Sequence, residues 1–99
     1  MYDTIVIGAG PAGMTAALYA GRSNLKVALL ERGIYGGQMN NTAEIENYPG
    51  YDHISGPALA EKMFEPLEKF GVDQIIGTMI RIEEKGPNKK VITEDGVLE

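Results

Sequence analysis

The chain has 99 residues, 43% hydrophobic and 23% charged, so it is long enough for one small domain or for part of a larger one. Nine Lys and Arg residues against fourteen Asp and Glu residues give a formal net charge of -5, which disfavours nucleic acid and anionic membranes as partners. Cysteine is absent, which excludes disulfides and thiol nucleophiles from these residues, and no signal peptide or membrane span is recognisable, so we expect a cytoplasmic protein.

The first third of the chain predicts a strand, a helix and a second strand. Residues 2–7 form a β-branched run that predicts a strand buried on both faces, inside a parallel sheet. Residues 13–22 are rich in alanine and predict a helix, which Ser23-Asn24 ends. Residues 25–30 predict a second buried strand, and the three elements together are typical of a right-handed parallel crossover.

A long connection and a second helix follow. Residues 33–57 contain five glycines and two prolines, and a connection of this length in a compact domain is usually functional, so we predict a binding loop. From Pro57 to Phe70 the apolar spacing predicts an amphipathic helix, with Gly71 as its cap and Pro66 as a potential kink. The apolar positions of this helix are Leu59, Met63, Leu67 and Phe70.

The last part of the chain is β-like. Residues 72–85 and 89–93 flank Gly86-Pro87-Asn88, which predicts a β-hairpin near the C-terminus. Asp95-Gly96 indicates one further turn.

A glycine motif, Gly8-Ala9-Gly10-Pro11-Ala12-Gly13, lies between the first predicted strand and the first predicted helix. In this context Gly8 permits a tight turn, Gly10 lets a pyrophosphate approach the backbone, and Gly13 lets the helix lie close to the sheet. The unpaired N–H groups and the positive end of the helix dipole then favour a bound phosphate. A glycine-rich turn without a ligand is the simpler alternative.

An acidic residue follows the second strand at the expected distance. Glu31 lies 18 residues after Gly13, against about 20 in the dinucleotide-binding pattern. A carboxylate here would accept hydrogen bonds from ribose hydroxyls and would repel a 2′-phosphate, which favours FAD or NAD over NADP. A solvated surface carboxylate is the alternative, and the residues alone do not separate FAD from NAD.

Three further motifs make residues 3–85 resemble the N-terminal segment of bacterial low-molecular-weight thioredoxin reductases. They are Gly36-Gly37-Gln38, Glu44-Ile45-Glu46-Asn47-Tyr48-Pro49-Gly50 and Gly56-Pro57-Ala58-Leu59, in that order. The resemblance implies an α/β, doubly wound, Rossmann-like FAD-binding fold that is incomplete in these residues, with the hairpin near the C-terminus. It also favours FAD over NAD as the cofactor.

The resemblance also implies a role for each motif. The glycine motif would hold the FAD pyrophosphate, Glu31 the adenosine ribose, and residues 32–37 the middle of the cofactor. Gln38 and Asn47 would reach toward the flavin, where an amide offers both a donor and an acceptor, and the backbone of Met79 would border the adenine. Hydrogen bonding within the loop is the alternative for the two amides, and a place in the core is the alternative for Met79. The implied cofactor-binding residues are Gly8, Gly10, Pro11, Ala12, Gly13, Glu31, Arg32, Gly36, Gly37, Gln38, Asn47 and Met79.

The chain also departs from the family pattern. It lacks the redox Cys-x-x-Cys pair, a second glycine motif for NADPH and the later segment that closes over the flavin. The resemblance therefore implies that residues 1–99 are the N-terminal part of an FAD-binding domain, and that the NADPH domain and the C-terminal FAD part lie outside them. In the whole enzyme, electrons would pass from NADPH to FAD, to a protein disulfide and to thioredoxin. This chain alone would bind FAD without reductase activity, and no residue in it is expected to be catalytic.

Two alternatives stay open at this point. A reductase of the ferredoxin–NADP type shares the FAD segment and needs no cysteine pair, and a stand-alone nucleotide-binding module would need no further domain. Because strands that complete such a sheet are missing from these residues, we also expect self-association and weak FAD affinity. No metal site is expected, because His53 is the only histidine and has no cysteine partner.

Overall fold

The computed structural model describes residues 1–99, with the exception of the side chain of Lys85. Its elements, in chain order, are β1 (Thr4–Ile7), α1 (Pro11–Arg22), β2 (Val27–Glu31), a 3-10 helix (Gly37–Asn41), α2 (Gly56–Lys69), β3 (Asp73–Ile76), β4 (Met79–Lys85), β5 (Asn88–Thr93) and β6 (Gly96–Leu98).

The first sheet is parallel, with strand order β1-β2-β3 and β2 in the centre. Ile7 pairs with Leu30 at one end of the β1–β2 ladder, and Glu31 pairs with Ile76 at the end of the β2–β3 ladder. Helices α1 and α2 supply the two crossovers and pack against each other. The predicted α/β class and the predicted strand–helix–strand unit are therefore confirmed.

The second sheet is antiparallel, with strand order β4-β5-β6. The hairpin predicted around Gly86 is confirmed. Residues 72–85, predicted as β-like, form two strands in different sheets, because the chain turns away from the parallel sheet after Gly77, whose N–H still donates to the Glu31 carbonyl at 2.9 Å. The turn predicted at Asp95-Gly96 leads into β6, a strand that the sequence pattern did not predict.

The core lies between β2 and the two helices. Val27 and Leu29 of β2 pack with Met14 and Ala17 of α1 and with Leu67 of α2. Since alternate strand residues point to opposite faces, Ala28 and Leu30 lie on the other face of β2, and both are also buried. The predicted second buried strand is confirmed for Val27 to Leu30, whereas Leu25 and Lys26, which were included in that prediction, precede β2 and are exposed.

Burial of β1 on both faces is a wrong prediction. Thr4, Ile5 and Val6 are half-buried, and Ile7 is 43% exposed. Within the described residues β1 pairs only with β2, so its other edge carries no strand.

Helix α2 begins with a side-chain cap and ends at a glycine. The Ser55 hydroxyl accepts a hydrogen bond from the N–H of Ala58 at 3.2 Å, and Gly71 follows the helix with φ of 73°. The helix continues through Pro66 to Lys69. Phe70, predicted as the last apolar position of this helix, follows its last residue as the C-cap and is 37% exposed.

Candidate nucleotide-binding site

The turn between β1 and α1 contains three glycines. Gly8 has φ of 98°, and its N–H donates to the Leu30 carbonyl at 2.8 Å, which ties the turn to β2. A Cβ on Gly13 would overlap the carbonyl oxygen of Gly8, so only glycine lets α1 lie this close to the turn. A Cβ on Gly10 would meet no atom within 4 Å, so the space beside Gly10 is open.

The N-terminus of α1 has no side-chain cap. Gly10 occupies the cap position, Pro11 has no N–H, and the N–H of Met14 donates to the Gly10 carbonyl at 2.9 Å. In the described part of the chain, the N–H groups of Ala12 and Gly13 have no protein acceptor, and the first turn holds no acidic residue. The positive end of the helix dipole therefore faces an open space beside the backbone of Gly8 to Gly13, which we call the cradle. Such a space suits an anion.

Glu31 lies beside this cradle. Its Oε1 accepts a hydrogen bond from the N–H of Ala9 at 2.9 Å, and its Oε2 accepts one from the N–H of Gly33 at 2.8 Å. The pKa of Glu31 is lowered, and the hydrogen bond from the N–H of Ala9 is the largest cause. Partial burial acts in the opposite direction. The backbone N–H groups of Gly33 and Arg32 and the positive charge of Arg32 lower the pKa further. The carboxylate is thus held ionised next to the glycine motif.

A cavity of about 270 Å³ lies at the carboxyl ends of the parallel strands. Ligands of open α/β sheets bind at this edge. The cavity brings together four predicted site residues, Gly8, Glu31, Arg32 and Met79. It is also lined by Gly77 and Thr78, which the sequence analysis missed; the glycine inside an otherwise β-like run was the available signal.

The loop after β2 folds back over the glycine motif. The N–H of Gly36 donates to the carbonyl of Ala9 at 2.7 Å, and a Cβ on Gly37 would lie 3.3 Å from the Cα of Gly10. The 3-10 helix begins at Gly37, within the connection that was predicted as a binding loop. Gly36 and Gly37 therefore lie against the cradle, as residues that border a bound phosphate would.

The two predicted amide residues lie elsewhere. Gln38 and Asn47 are exposed, and neither side chain forms a hydrogen bond among the described residues. Neither lines the cavity beside Glu31. Asn47 lies in the segment between Ile45 and Ile54, which form an isolated antiparallel bridge.

The described side chains contain no cluster of three or more metal-ligating groups, and the nearest partner of His53 is Glu44, at 4.0 Å and largely exposed. Neither helix that the structure describes combines the length and the apolar character needed to cross a membrane.

Comparison with known proteins gives consistent matches. The family model for pyridine nucleotide-disulphide oxidoreductases matches residues 2–95. Over 92 residues the chain is 52% identical to a thioredoxin reductase of Bacillus subtilis, a match that covers 93% of this chain and 29% of that protein. A thioredoxin reductase of Listeria monocytogenes is 50% identical over 93 residues, with the same 29% share of its length.

Solved structures agree with these relatives. A crystal structure of Lactococcus lactis thioredoxin reductase superposes with a TM-score of 0.96 at 60% identity, covering 99% of this chain and 32% of that one. Thioredoxin reductase from Streptococcus pyogenes gives a TM-score of 0.95 at 68% identity, covering 98% and 32% of the two chains. The chain thus spans less than a third of the length of these relatives.

Proposed function

Because this chain belongs to the pyridine nucleotide-disulphide oxidoreductase family, we propose that residues 1–99 form the N-terminal part of the FAD-binding domain of a thioredoxin reductase. One observation carries the proposal: an uncapped helix N-terminus at an open glycine turn lies beside an ionised carboxylate, with the N–H of Ala9 bonded to Glu31 at 2.9 Å. A diphosphate joined to a ribose has the charge and the hydroxyl groups that match these two features.

The residues fit the adenosine diphosphate half of FAD. The backbone from Gly8 to Gly13 would hold the pyrophosphate, and Glu31 would accept hydrogen bonds from the ribose hydroxyls. The cavity of about 270 Å³ between Arg32 and Met79 is slightly below the ~300–1,000 Å³ of sites for whole drug-sized ligands, so it suits the adenosine part alone.

The remaining predicted residues would contact the rest of the cofactor. Gly36 and Gly37 would border its middle, and Gln38 and Asn47 would approach the flavin. When bound, FAD supplies hydride and electron transfer, and the part played by these residues is to bind and orient it. Since Gln38 and Asn47 are exposed and lie away from the cavity, their contribution depends on the path of the cofactor across the loop.

In the whole protein we propose NADPH as the electron donor, a protein disulfide as the intermediate carrier and thioredoxin as the acceptor. The chain itself contains no cysteine, so the disulfide step needs residues outside these 99. The thioredoxin reductases among the relatives favour this function over a ferredoxin–NADP reductase or a stand-alone binding module.

We further propose that the chain self-associates through β1. No strand pairs with its outer edge in the part of the chain that the structure describes, and Thr4–Ile7 contains no charge or proline to discourage pairing. Beside this edge, a cavity of about 340 Å³ opens between β1 and the second sheet, with Ile82 51% exposed at its wall. A second copy of the chain offers an identical strand for this edge.

An absorption spectrum tests the FAD proposal directly. The chain is mixed with excess FAD, passed through a desalting column, and examined for flavin absorption, with isothermal titration calorimetry to measure a weak Kd. We expect saturable binding at one site per chain. Absence of saturable binding by a folded chain would contradict the proposal.

A further inference from the structure

Asn40 lies in the 3-10 helix and is partly buried. Its Nδ2 donates to the Tyr35 carbonyl at 2.8 Å and is within 3.3 Å of the Gly37 carbonyl. Since a side-chain amide carries two N–H hydrogens, one group can serve both carbonyls. The amide therefore bridges the two ends of the turn that contains Gly36.

This turn uses backbone conformations that favour glycine, so its order depends on contacts from outside the turn. Gly36 and Gly37 both have positive φ, 103° and 58°, and glycine loses the most conformational freedom on folding. A Cβ on Gly36 would lie 2.6 Å from the Cβ of Ala60 and 2.8 Å from the Nδ2 of Asn40, so the turn is held between α2 and the Asn40 side chain.

The same turn contacts the cradle of the nucleotide site. The N–H of Gly36 donates to the Ala9 carbonyl at 2.7 Å, and Gly37 packs on Gly10. On its other side the loop is anchored by Tyr35, whose ring stacks on Phe64 with centroids 3.9 Å apart. A change in the turn would therefore be transmitted to the backbone of Ala9 and Gly10.

We propose that Asn40 is a positioning residue for diphosphate binding, which acts by holding the Gly36-Gly37 turn against Ala9 and Gly10. The inference rests on the proposed function. The role of Asn40 is additional to that function, because Asn40 does not line the cavity beside Glu31 and acts only through the turn. Its effect falls on the phosphate-binding end of the site and not on the end lined by Met79.

Asn40→Leu, compared with Asn41→Leu, tests the inference. Leucine has the same number of side-chain heavy atoms as asparagine and branches at the same carbon, but it has no donor. Asn41 is an exposed neighbour in the same 3-10 helix with no side-chain hydrogen bond among the described residues. ADP and adenosine are the probes, because they share the ribose and the base and differ in the diphosphate. Their Kd values are measured by calorimetry for ADP and by NMR titration for adenosine.

We expect Asn40→Leu to raise the Kd of ADP about fivefold to tenfold, as the loss of one or two hydrogen bonds implies. The Kd of adenosine should change less than about twofold. Asn41→Leu should change both less than about twofold. Equal weakening of ADP and adenosine would show a purely structural role and overturn the inference, and so would an unchanged ADP affinity. If the unaltered chain binds neither FAD nor ADP, the proposed function itself fails.

A measurement on the unaltered chain covers the case in which Asn40→Leu does not fold. The side-chain amide resonances of Asn40 should shift when ADP is added and stay in place when adenosine is added. The side-chain amide of Asn41 should respond to neither. If ADP binds and the side-chain amide resonances of Asn40 do not shift, the inference is overturned.

Discussion

The backbone N–H of Ala9 donates to the Glu31 carboxylate across 2.9 Å, which joins the turn after β1 to the end of β2. The residue that would hold the ribose is thereby bonded to the motif that would hold the pyrophosphate, within the protein itself. A hydrogen bond to an ionised acceptor is stronger than one between neutral groups. The two halves of the site are therefore fixed relative to each other without help from a ligand.

Glu31→Gln should weaken both the site and the fold. Glutamine keeps one acceptor oxygen but turns an amide N–H₂ toward the N–H of Ala9 or of Gly33, so one favourable bond is replaced by a donor–donor contact. We expect FAD to bind about tenfold more weakly and the free energy of unfolding to fall by about 1–2 kcal/mol. Calorimetry and urea unfolding measure the two effects.

Glu61→Gln is the matched control for this variant. Glu61 is an exposed residue of α2, and its change removes the same charge away from the site. It should leave FAD affinity and stability nearly unchanged. Equal effects of the two substitutions would mean that net charge, and not the position of Glu31, controls binding.

The lowered pKa of Glu31 predicts a specific pH dependence. A carboxylate whose pKa is lower in the folded than in the unfolded state stabilises the fold above its ordinary value of 4.5, and this contribution is lost as the pH falls through the folded pKa. The difference in unfolding free energy between the unaltered chain and Glu31→Gln should therefore be largest above pH 4.5 and shrink in more acidic solution. A difference that stays constant down to strongly acidic pH would contradict the assignment.

Local pattern was sufficient to predict that Glu31 and the glycine motif lie together. Gly8 and Gly13 each meet a geometric requirement that the sequence spacing reveals, Gly10 leaves the space beside the turn open, and Glu31 follows from the length of the crossover unit. The buried strand β2 was equally predictable, because it is apolar along its whole length before Glu31. These features depend on neighbours within one strand–helix–strand unit.

Features that depend on distant partners were not predictable. The exposure of Ile7 reflects the open edge of β1, which the residues of the strand itself do not encode. The corner at Gly77 carried only one turn signal between two β-like runs. The contacts of Asn40 were not predictable because its partners are backbone carbonyls, which every residue possesses.

Gly10→Val should separate binding from folding. Gly10 has φ of -76° and ψ of -174°, which valine adopts readily, and a Cβ there meets no protein atom within 4 Å. The valine would project into the cradle where the pyrophosphate is proposed to lie. We expect FAD binding to fall at least about tenfold, with a loss of stability of no more than about 1 kcal/mol from the weaker cap.

The control for this variant is Ala16→Val, which places the same side chain on the exposed face of α1. Its cost should be limited to the lower helix propensity of valine, about 0.5 kcal/mol, with no effect on FAD. If a folded Gly10→Val chain bound FAD with unaltered affinity, the pyrophosphate would not bind at this turn.

Self-association through β1 predicts unequal effects of two lysine substitutions on the second sheet. Ile82 faces β1 across the cavity of about 340 Å³ and is 51% exposed, whereas Val97 is similarly exposed, at 56%, and does not line that cavity. A charge beside an unpaired edge discourages strand pairing. Sedimentation velocity over a range of concentrations should therefore show association of the unaltered chain and of Val97→Lys, and a shift toward monomer for Ile82→Lys. A monodisperse monomer of the unaltered chain at every concentration would contradict the proposal, and equal disruption by both lysines would move the contact away from β1.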